Sequence, residues 1–226
     1  MKKFLEANKI YFEVFSMAFL GLMAVIVSFT QWRTSSREFE LHKYENMPLI
    51  KVSYELIKTD TSGTYDTEIL RVTNEGKIVK RFNKAFFSFY HFNIKPLDSN
   101  GKGKDIYVPV ADFFGLTFNS NNLSGKLFES FSYHNNSNIV NAERHCQAFF
   151  STKRLFITVT REVYFKFDFT DISNEKHTIY MDTFGNEITA REYQHTKARV
   201  NSYEPGLVAM RDVNNEFIDN LVNSAQ

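Results

Sequence analysis

The sequence predicts a mainly β protein: an N-terminal transmembrane helix and helical stalk, then an antiparallel β-sandwich with a C-terminal amphipathic helix. Three observations predict it. The run Val14 to Thr30 (VFSMAFLGLMAVIVSFT) holds no charge, Pro, Asn or Gln. Downstream, apolar residues recur at every second position in short stretches separated by turn residues, the period of a strand with one buried face. After Pro205-Gly206 the spacing changes to three and four, the period of one helical face. These changes divide the chain into residues 1–30 (tail and anchor), 31–46 (juxtamembrane stalk), 47–204 (β-sandwich) and 205–226 (C-terminal helix).

The anchor follows from length. Crossing a bilayer as a helix takes about 20 apolar residues, and the run reaches that when Ile10 to Phe12 are included. Glu13 is its only charge and falls at headgroup depth, where a charge costs far less than at mid-bilayer. Tyr11 and Trp32 bracket the run as interfacial aromatics, and Lys9 and Arg33 lie just outside it. A buried core helix would be shorter or carry a polar stripe. A cleaved signal peptide would need small residues before the charges, and Thr34-Ser35-Ser36 comes only after Arg33. A retained anchor is therefore expected. Lys2, Lys3 and Lys9 on one side balance Arg33, Arg37 and Lys43 on the other, with Glu38 and Glu40 diluting the second group. The counts tie at three each, so the orientation is undecided, with a slight lean to an N-terminus inside.

Gln31 to Tyr44 mixes charges without Pro or Gly and reads as the stalk, ended by Asn46-Met47-Pro48. Ile50, Val52, Tyr54 and Leu56 then alternate with polar residues as a strand, and 59–63 is a turn. Glu68 to Thr73 is a second strand, closed by Asn74-Glu75-Gly76. Lys84 to Ile94 is a third, with Phe86, Tyr90, Phe92 and Ile94 on one side and Phe87 and Phe89 on the other, so both faces are covered. A loop at 99–103 precedes a strand at Asp105 to Val110. Phe113 to Asn141 shows no period and reads as irregular. Leu155 to Phe169 has the clearest alternation, interrupted by Arg161, which reads as a bulge or break. Asp171 to Asn174 turns into a strand at Lys176 to Met181, Gly185-Asn186 turns again, and Ile188 onwards reads as a further strand. Met210, Val213, Phe217 and Leu221 form the terminal helical stripe, widened by Val208, Ile218 and Val222.

Glu45 to Val52 after an uncleaved span, then Leu70 to Gly76 (LRVTNEG) and Val163 to Ile172 (VYFKFDFTDI), resembles bacterial single-span membrane proteins that carry an immunoglobulin-like β-sandwich. The resemblance implies this architecture and a single-pass location in the bacterial inner membrane. It does not extend over 113–141 or the terminal helix, and it implies no activity.

Composition narrows the function classes. Lys and Arg total 27 against 26 Asp and Glu, a balance that argues against a nucleic-acid surface. Cys146 is the only cysteine, which excludes an internal disulfide and a thiolate cluster. His145-Cys146 with Glu143 suggests a nucleophile, but neighbours on a strand point to opposite faces. His134 is the only other nearby zinc ligand and has no recognised spacing. Asp168, Asp171 and Asp182 lack the spacing of a calcium loop. Gly101-Lys102-Gly103-Lys104 lacks that of a phosphate-binding loop. No catalytic, cofactor-binding or metal residue is therefore assigned, and no cofactor is expected. Lys77, Lys80, Arg81 and Lys84 form a basic run that can meet an anionic ligand or lipid; more often such a run is a solvated edge that discourages sheet-to-sheet pairing.

The expected function is that of a non-enzymatic, membrane-anchored binding or structural subunit of a membrane assembly. Its partners are the lipid bilayer and a protein, either another chain or further copies of this one. The alternative is a ligand-sensing, membrane-associated effector of the kind that acts in phage defence.

Overall fold

A computed structural model describes residues 8–45, 47–58, 65–97, 103–119, 124–133 and 135–225. Contacts divide the chain into two units, Met1–Met47 and Pro48–Gln226. Among its described residues the first holds one helix, α1 (Lys9–Glu45), of 37 residues. Span and stalk, expected as two segments, are thus one uninterrupted helix. At 1.5 Å per residue it measures about 55 Å, against about 30 Å for a bilayer's hydrocarbon core. It is long and apolar enough to cross a membrane, and its apolar window is 0% buried. The hydroxyls near the end of the run are satisfied within the helix, Thr30 donating to the Val27 carbonyl at 2.8 Å and Thr34 to Thr30 at 3.0 Å. That internal pairing removes the cost of placing them among apolar groups.

The second unit is built on two sheets. One contains β1 (Ile50–Ile57), β2 (Thr67–Asn74), β5 (Leu116–Asn119) and β6 (Gly125–Phe131), all antiparallel in the order β1-β2-β6-β5. The other contains β3 (Lys80–Pro96), β4 (Lys104–Ala111), β7 (Leu155–Thr170), β8 (Lys176–Met181), β9 (Glu187–Ile188) and β10 (Val208–Ala209), ordered β10-β4-β3-β7-β8-β9. Among the described residues, only β10 is parallel to its neighbour. The described residues of this unit also form three helices, α2 (Asn135–Lys153), α3 (Ala190–Asn201) and α4 (Asn215–Ala225), with a 3-10 turn at Met210–Asp212.

The long pairing of β3 with β7 is the spine. On β7 the odd positions Leu155, Ile157, Val159, Val163, Phe165, Phe167 and Phe169 are buried. Phe165 and Phe167 stack at 5.6 Å, and Phe128 of the first sheet lies 6.3 Å from Phe167 and 6.4 Å from Phe86 of β3. Rings from both sheets therefore share one core. The second link between the sheets is backbone. Gly185, at φ +79, lies so near β1 that a Cβ there would sit 3.2 Å from the Val52 carbonyl. A side chain at this turn would push against β1 and adopt a conformation that only glycine takes freely.

Four sequence expectations change. Arg161 does not break β7: it pairs directly with Tyr90 in unbroken register, and the irregularity lies instead between Lys80 and Asn83, where Arg81 has φ 52. The stretch 113–141, read as irregular, contains β5, β6 and the start of α2. The strand expected from Ile188 onwards stops at that residue: β9 is only Glu187–Ile188, and Thr189 caps α3, its hydroxyl accepting from Glu192 N at 3.2 Å while the Glu192 carboxylate accepts from Thr189 N at 2.8 Å. The C-terminal stripe is not one helix from Leu207. The chain first adds β10 to β4, makes the 3-10 turn, and begins α4 only after Asn214 caps it through Phe217 N at 3.0 Å. Met210, Val213, Ile218, Leu221 and Val222 are buried in the unit's own core, with Phe217 at its margin. The turn at 59–63 and most of the loop at 99–103 fall outside the described residues.

The second sheet is covered on both faces. Phe89, Tyr90 and Phe92 of β3 are fully buried although they alternate in direction. Tyr90 and Phe92 face the core shared with α2 and α4. On the opposite face, Tyr193 of α3 lies 5.4 Å from Phe87 and 4.9 Å from Tyr180.

Candidate functional site

Two polar clusters sit back to back on β3, β4 and β7. The outer one is placed by strand register, which sets His91 opposite Tyr107 and Asn93 opposite Asp105. The His91 and Tyr107 rings stack at 4.7 Å, 6° from parallel. His91 Nε2 lies 2.9 Å from Asp105 and Nδ1 lies 3.4 Å from Glu162, while Asn93 donates to Asp105 at 2.6 Å. Hydrogen bonding to Glu162 raises the His91 pKa; burial opposes this and Asp105 adds to it. Asp105 is held below the usual carboxylate range by Asn93 first and His91 second. Arg199 of α3 lies with its guanidinium carbon 4.5 Å from the Tyr107 ring centroid. Beside this cluster is an open cleft of about 440 Å³, lined by Lys104 to Tyr107, the end of α3 and α4, a volume within the range of small-ligand sites.

The inner cluster is a nearly dry ion pair. Arg161 Nη2 of β7 lies 2.8 Å from Glu68 Oε1 of β2, with side chains 11% and 9% exposed. The guanidinium is boxed by Phe113 at 4.6 Å, Tyr54 at 5.1 Å and Phe114 at 5.6 Å. Among the described residues, Tyr54 Oη, Glu68 Oε2 and Arg161 Nη1 are buried without a hydrogen-bond partner. Burial pushes the Glu68 carboxyl up, and Arg161 pulls it back. Burial also raises the Tyr54 phenol, so it stays protonated. This pair joins the two sheets.

The predicted basic run does not form one patch. Lys77, Lys80 and Arg81 are exposed. Lys80 holds the β7–β8 turn, donating to the Ile172 carbonyl at 3.2 Å and Asn174 at 3.1 Å. Lys84 points the other way, between the sheets, its ammonium 3.7 Å above the Phe128 ring and 2.6 Å from Asn119. Burial lowers its pKa to about 8. Strand parity explains the split, since Lys84 shares a face with Phe82 and Phe86.

His145 and Cys146 lie on helix α2, not on a strand. Cys146 is buried in the core, which pushes its thiol up to about 12, whereas His145 reaches Asp219 of α4 at 2.9 Å. A thiol so raised is not a nucleophile at neutral pH. The three aspartates serve turns and strands. Asp168 binds Lys166 and Thr178; Asp182 accepts from the Phe184 and Asn186 amides. Asp171 accepts from the Ser173 and Glu175 amides and from His177 at 2.8 Å. Burial alone would raise the Asp171 carboxyl, and these bonds outweigh it and hold it low. Asp171, Glu175 and His177 place ligand atoms within 4.8 Å of one another, a set that could hold a metal ion and that was not read from the sequence. His134 and Gly101-Lys102 fall outside the described residues.

No protein-family model matches the sequence, and no curated protein matches it.

Proposed function

We propose that this chain is a membrane-anchored, non-enzymatic β-sandwich protein, immunoglobulin-like in architecture, that acts as a binding or structural subunit of a membrane assembly. In this reading it sits in the bacterial inner membrane with its N-terminus inside. The observation that carries the reading is α1: an apolar surface that is 0% buried must find an apolar medium, and burying it in lipid is effectively irreversible. The second unit supports a binding role, because His91, His145 and His177 are paired with carboxylates and Cys146 is buried in the core. The sandwich is supported by the aromatic contacts between Phe128 and the rings of β3 and β7.

The test is fractionation followed by crosslinking in native membranes. The chain should stay with membranes through alkali and high salt, and crosslink to a partner or to further copies. Recovery of the full chain in the soluble fraction would overturn the anchor, and a strictly solitary chain would overturn the assembly. The 440 Å³ cleft favours a second reading, a ligand-sensing effector. A small ligand that changes oligomeric state would decide for it.

A further inference from the structure

The pairing of β7 with β8 fixes which side chains share a face at the turn between them. His177 stands opposite Phe169, and Lys176 opposite Thr170. The Asp171 amide then donates to the Glu175 carbonyl at 3.0 Å, which carries the pairing one residue further. Side chains alternate along a strand. Phe169, Asp171, Glu175 and His177 therefore fall on one face, and Thr170 and Lys176 on the other. Like charges directly opposite each other destabilise a strand pair, and a cation between Asp171 and Glu175 offsets that cost.

The donor atoms converge on this face. One ligand atom each from Asp171, Glu175 and His177 lies within 4.8 Å of the other two. His177 Nε2 is 2.8 Å from Asp171 Oδ2. Two ligands at right angles on a zinc ion, each at its usual bond length, stand about 3 Å apart. The ion therefore fits where a proton bridges this pair, after a small rotation of either side chain.

Two of the ligands are aimed in advance. Asp171 is buried, and its Oδ1 accepts from the Ser173 and Glu175 amides at 2.8 and 2.9 Å. Those bonds fix the carboxylate plane and leave Oδ2 turned to the imidazole. Together with His177 they outweigh burial and hold the carboxyl below its usual range, so it is ionised at neutral pH. Phe169 stacks on the His177 ring at 5.3 Å, 26° from parallel. Glu175 is exposed and closes the remaining distance by a change of rotamer. The charge that opposes a cation here is Lys80, whose ammonium bonds the Ile172 carbonyl and Asn174 on the same turn.

We propose that Asp171, Glu175 and His177 form a binding site for a divalent transition-metal ion of the zinc type. The imidazole nitrogen decides the class. Oxygen ligands alone suit magnesium or calcium, whereas a nitrogen ligand favours the later first-row ions. Three ligands leave a position for water or for a side chain of a partner. Binding at Nε2 competes with a proton, so affinity falls on acidification. The site is independent of the anchored-subunit reading, and its failure leaves the membrane crosslinking test untouched.

The experiment strips the full chain in detergent with a chelator and titrates zinc chloride by calorimetry, with cobalt(II) followed in parallel by visible absorption. One zinc ion per chain should bind, and a large excess of magnesium or calcium should not displace it. Glu175→Gln and His177→Ala should each weaken binding by about tenfold or more, since loss of even an outer partner of a metal ligand costs that much. The cobalt absorption should fade in step. Glu175 is exposed, so its substitution leaves the fold intact and decides alone where His177→Ala fails to fold. The proposal is overturned by the absence of binding, by zinc binding that either substitution leaves unchanged, or by displacement with calcium.

Discussion

Tyr90 and His91 are neighbours on β3, and Arg161 and Glu162 are neighbours on β7, yet they build two different clusters. Alternation sends Tyr90 and Arg161 inward and His91 and Glu162 outward. Both clusters set a basic side chain against a carboxylate and an aromatic ring. Outside, each charge keeps water at hand, and an ion pair so placed is worth at most about 1 kcal/mol. Inside, the pair has lost its water, and three polar atoms remain unmatched among the described residues. The same chemistry is therefore cheap to change on one face and costly on the other. Burial, not residue type, decides how much the fold depends on it.

The largest expected effect tests the inner face. Glu68→Ala leaves Arg161 buried without its carboxylate and should cost about 3–5 kcal/mol, most of an ordinary domain's stability. The double change Glu68→Met with Arg161→Met should recover most of that loss, because it removes both charges and keeps volume. Thermal and urea unfolding of the full chain in detergent would measure both. A Glu68→Ala melting temperature equal to that of the parent would mean that the pair is hydrated after all.

How much of this was legible in the sequence depends on how local the signal is. Strand β7 was readable because its alternation needs no partner. Arg161 was misread as a break because its partner lies 93 residues away, and a lone charge on an apolar face looks like an interruption until that partner is known. The stripe of α2, Ile139, Ala142, Cys146 and Phe149, was hidden by polar neighbours that dilute its period. The start of α3 carried an explicit signal, Thr189 three residues before Glu192, the pattern of a capping box. It was missed because the short strand at Ile188 runs straight into it. The basic run shows the opposite failure: closeness in sequence suggested a patch, and strand parity turned Lys84 inward. The His91 cluster depends on register, which is not written locally.

An intermediate effect tests how the outer face is roofed. Thr189→Ala removes the hydroxyl that caps α3 and should cost about 1 kcal/mol. Because α3 holds Tyr193 over Phe87, near-ultraviolet circular dichroism should change along with the melting temperature. A lowered melting temperature with an unchanged aromatic spectrum would mean that α3 frays at its start without loosening the rings beneath. Cys146 supplies the contrasting inner-face test. Its thiol, pushed up to about 12 by burial, should resist an exposed-thiol reagent at pH 8 in the folded chain and react only after unfolding; prompt labelling of folded protein would place it outside the core.

The smallest effect is pH dependence, and it separates the two faces. His91 is raised in the folded chain, chiefly by Glu162. Its contribution is therefore present in full below its unfolded value of about 6.5 and is lost as pH rises through the folded value. Asp105 is lowered, by Asn93 first. Its contribution is present above its unfolded value of about 3.9 and is lost as pH falls through the folded value. The outer cluster is accordingly strongest between about pH 4 and 6. Glu68 is raised by burial, so its protonation-linked stability is present below its unfolded value of about 4.3 and lost as pH rises through the folded value. His91→Asn should flatten the stability profile above about pH 6.5 and leave unchanged the slope that sets in above about pH 4.3, where Glu68 ionises in the unfolded chain. Glu68→Gln should flatten that lower slope and leave the upper one. The His91 effect should stay below about 1 kcal/mol, since its partners remain partly hydrated, and shrink as salt is added. Urea titrations of each variant across pH 4 to 8 would read both windows. A His91→Asn profile that keeps its full slope above pH 6.5 would mean that the histidine is not held by Glu162 and Asp105 in solution, and that the outer face is looser than its geometry suggests.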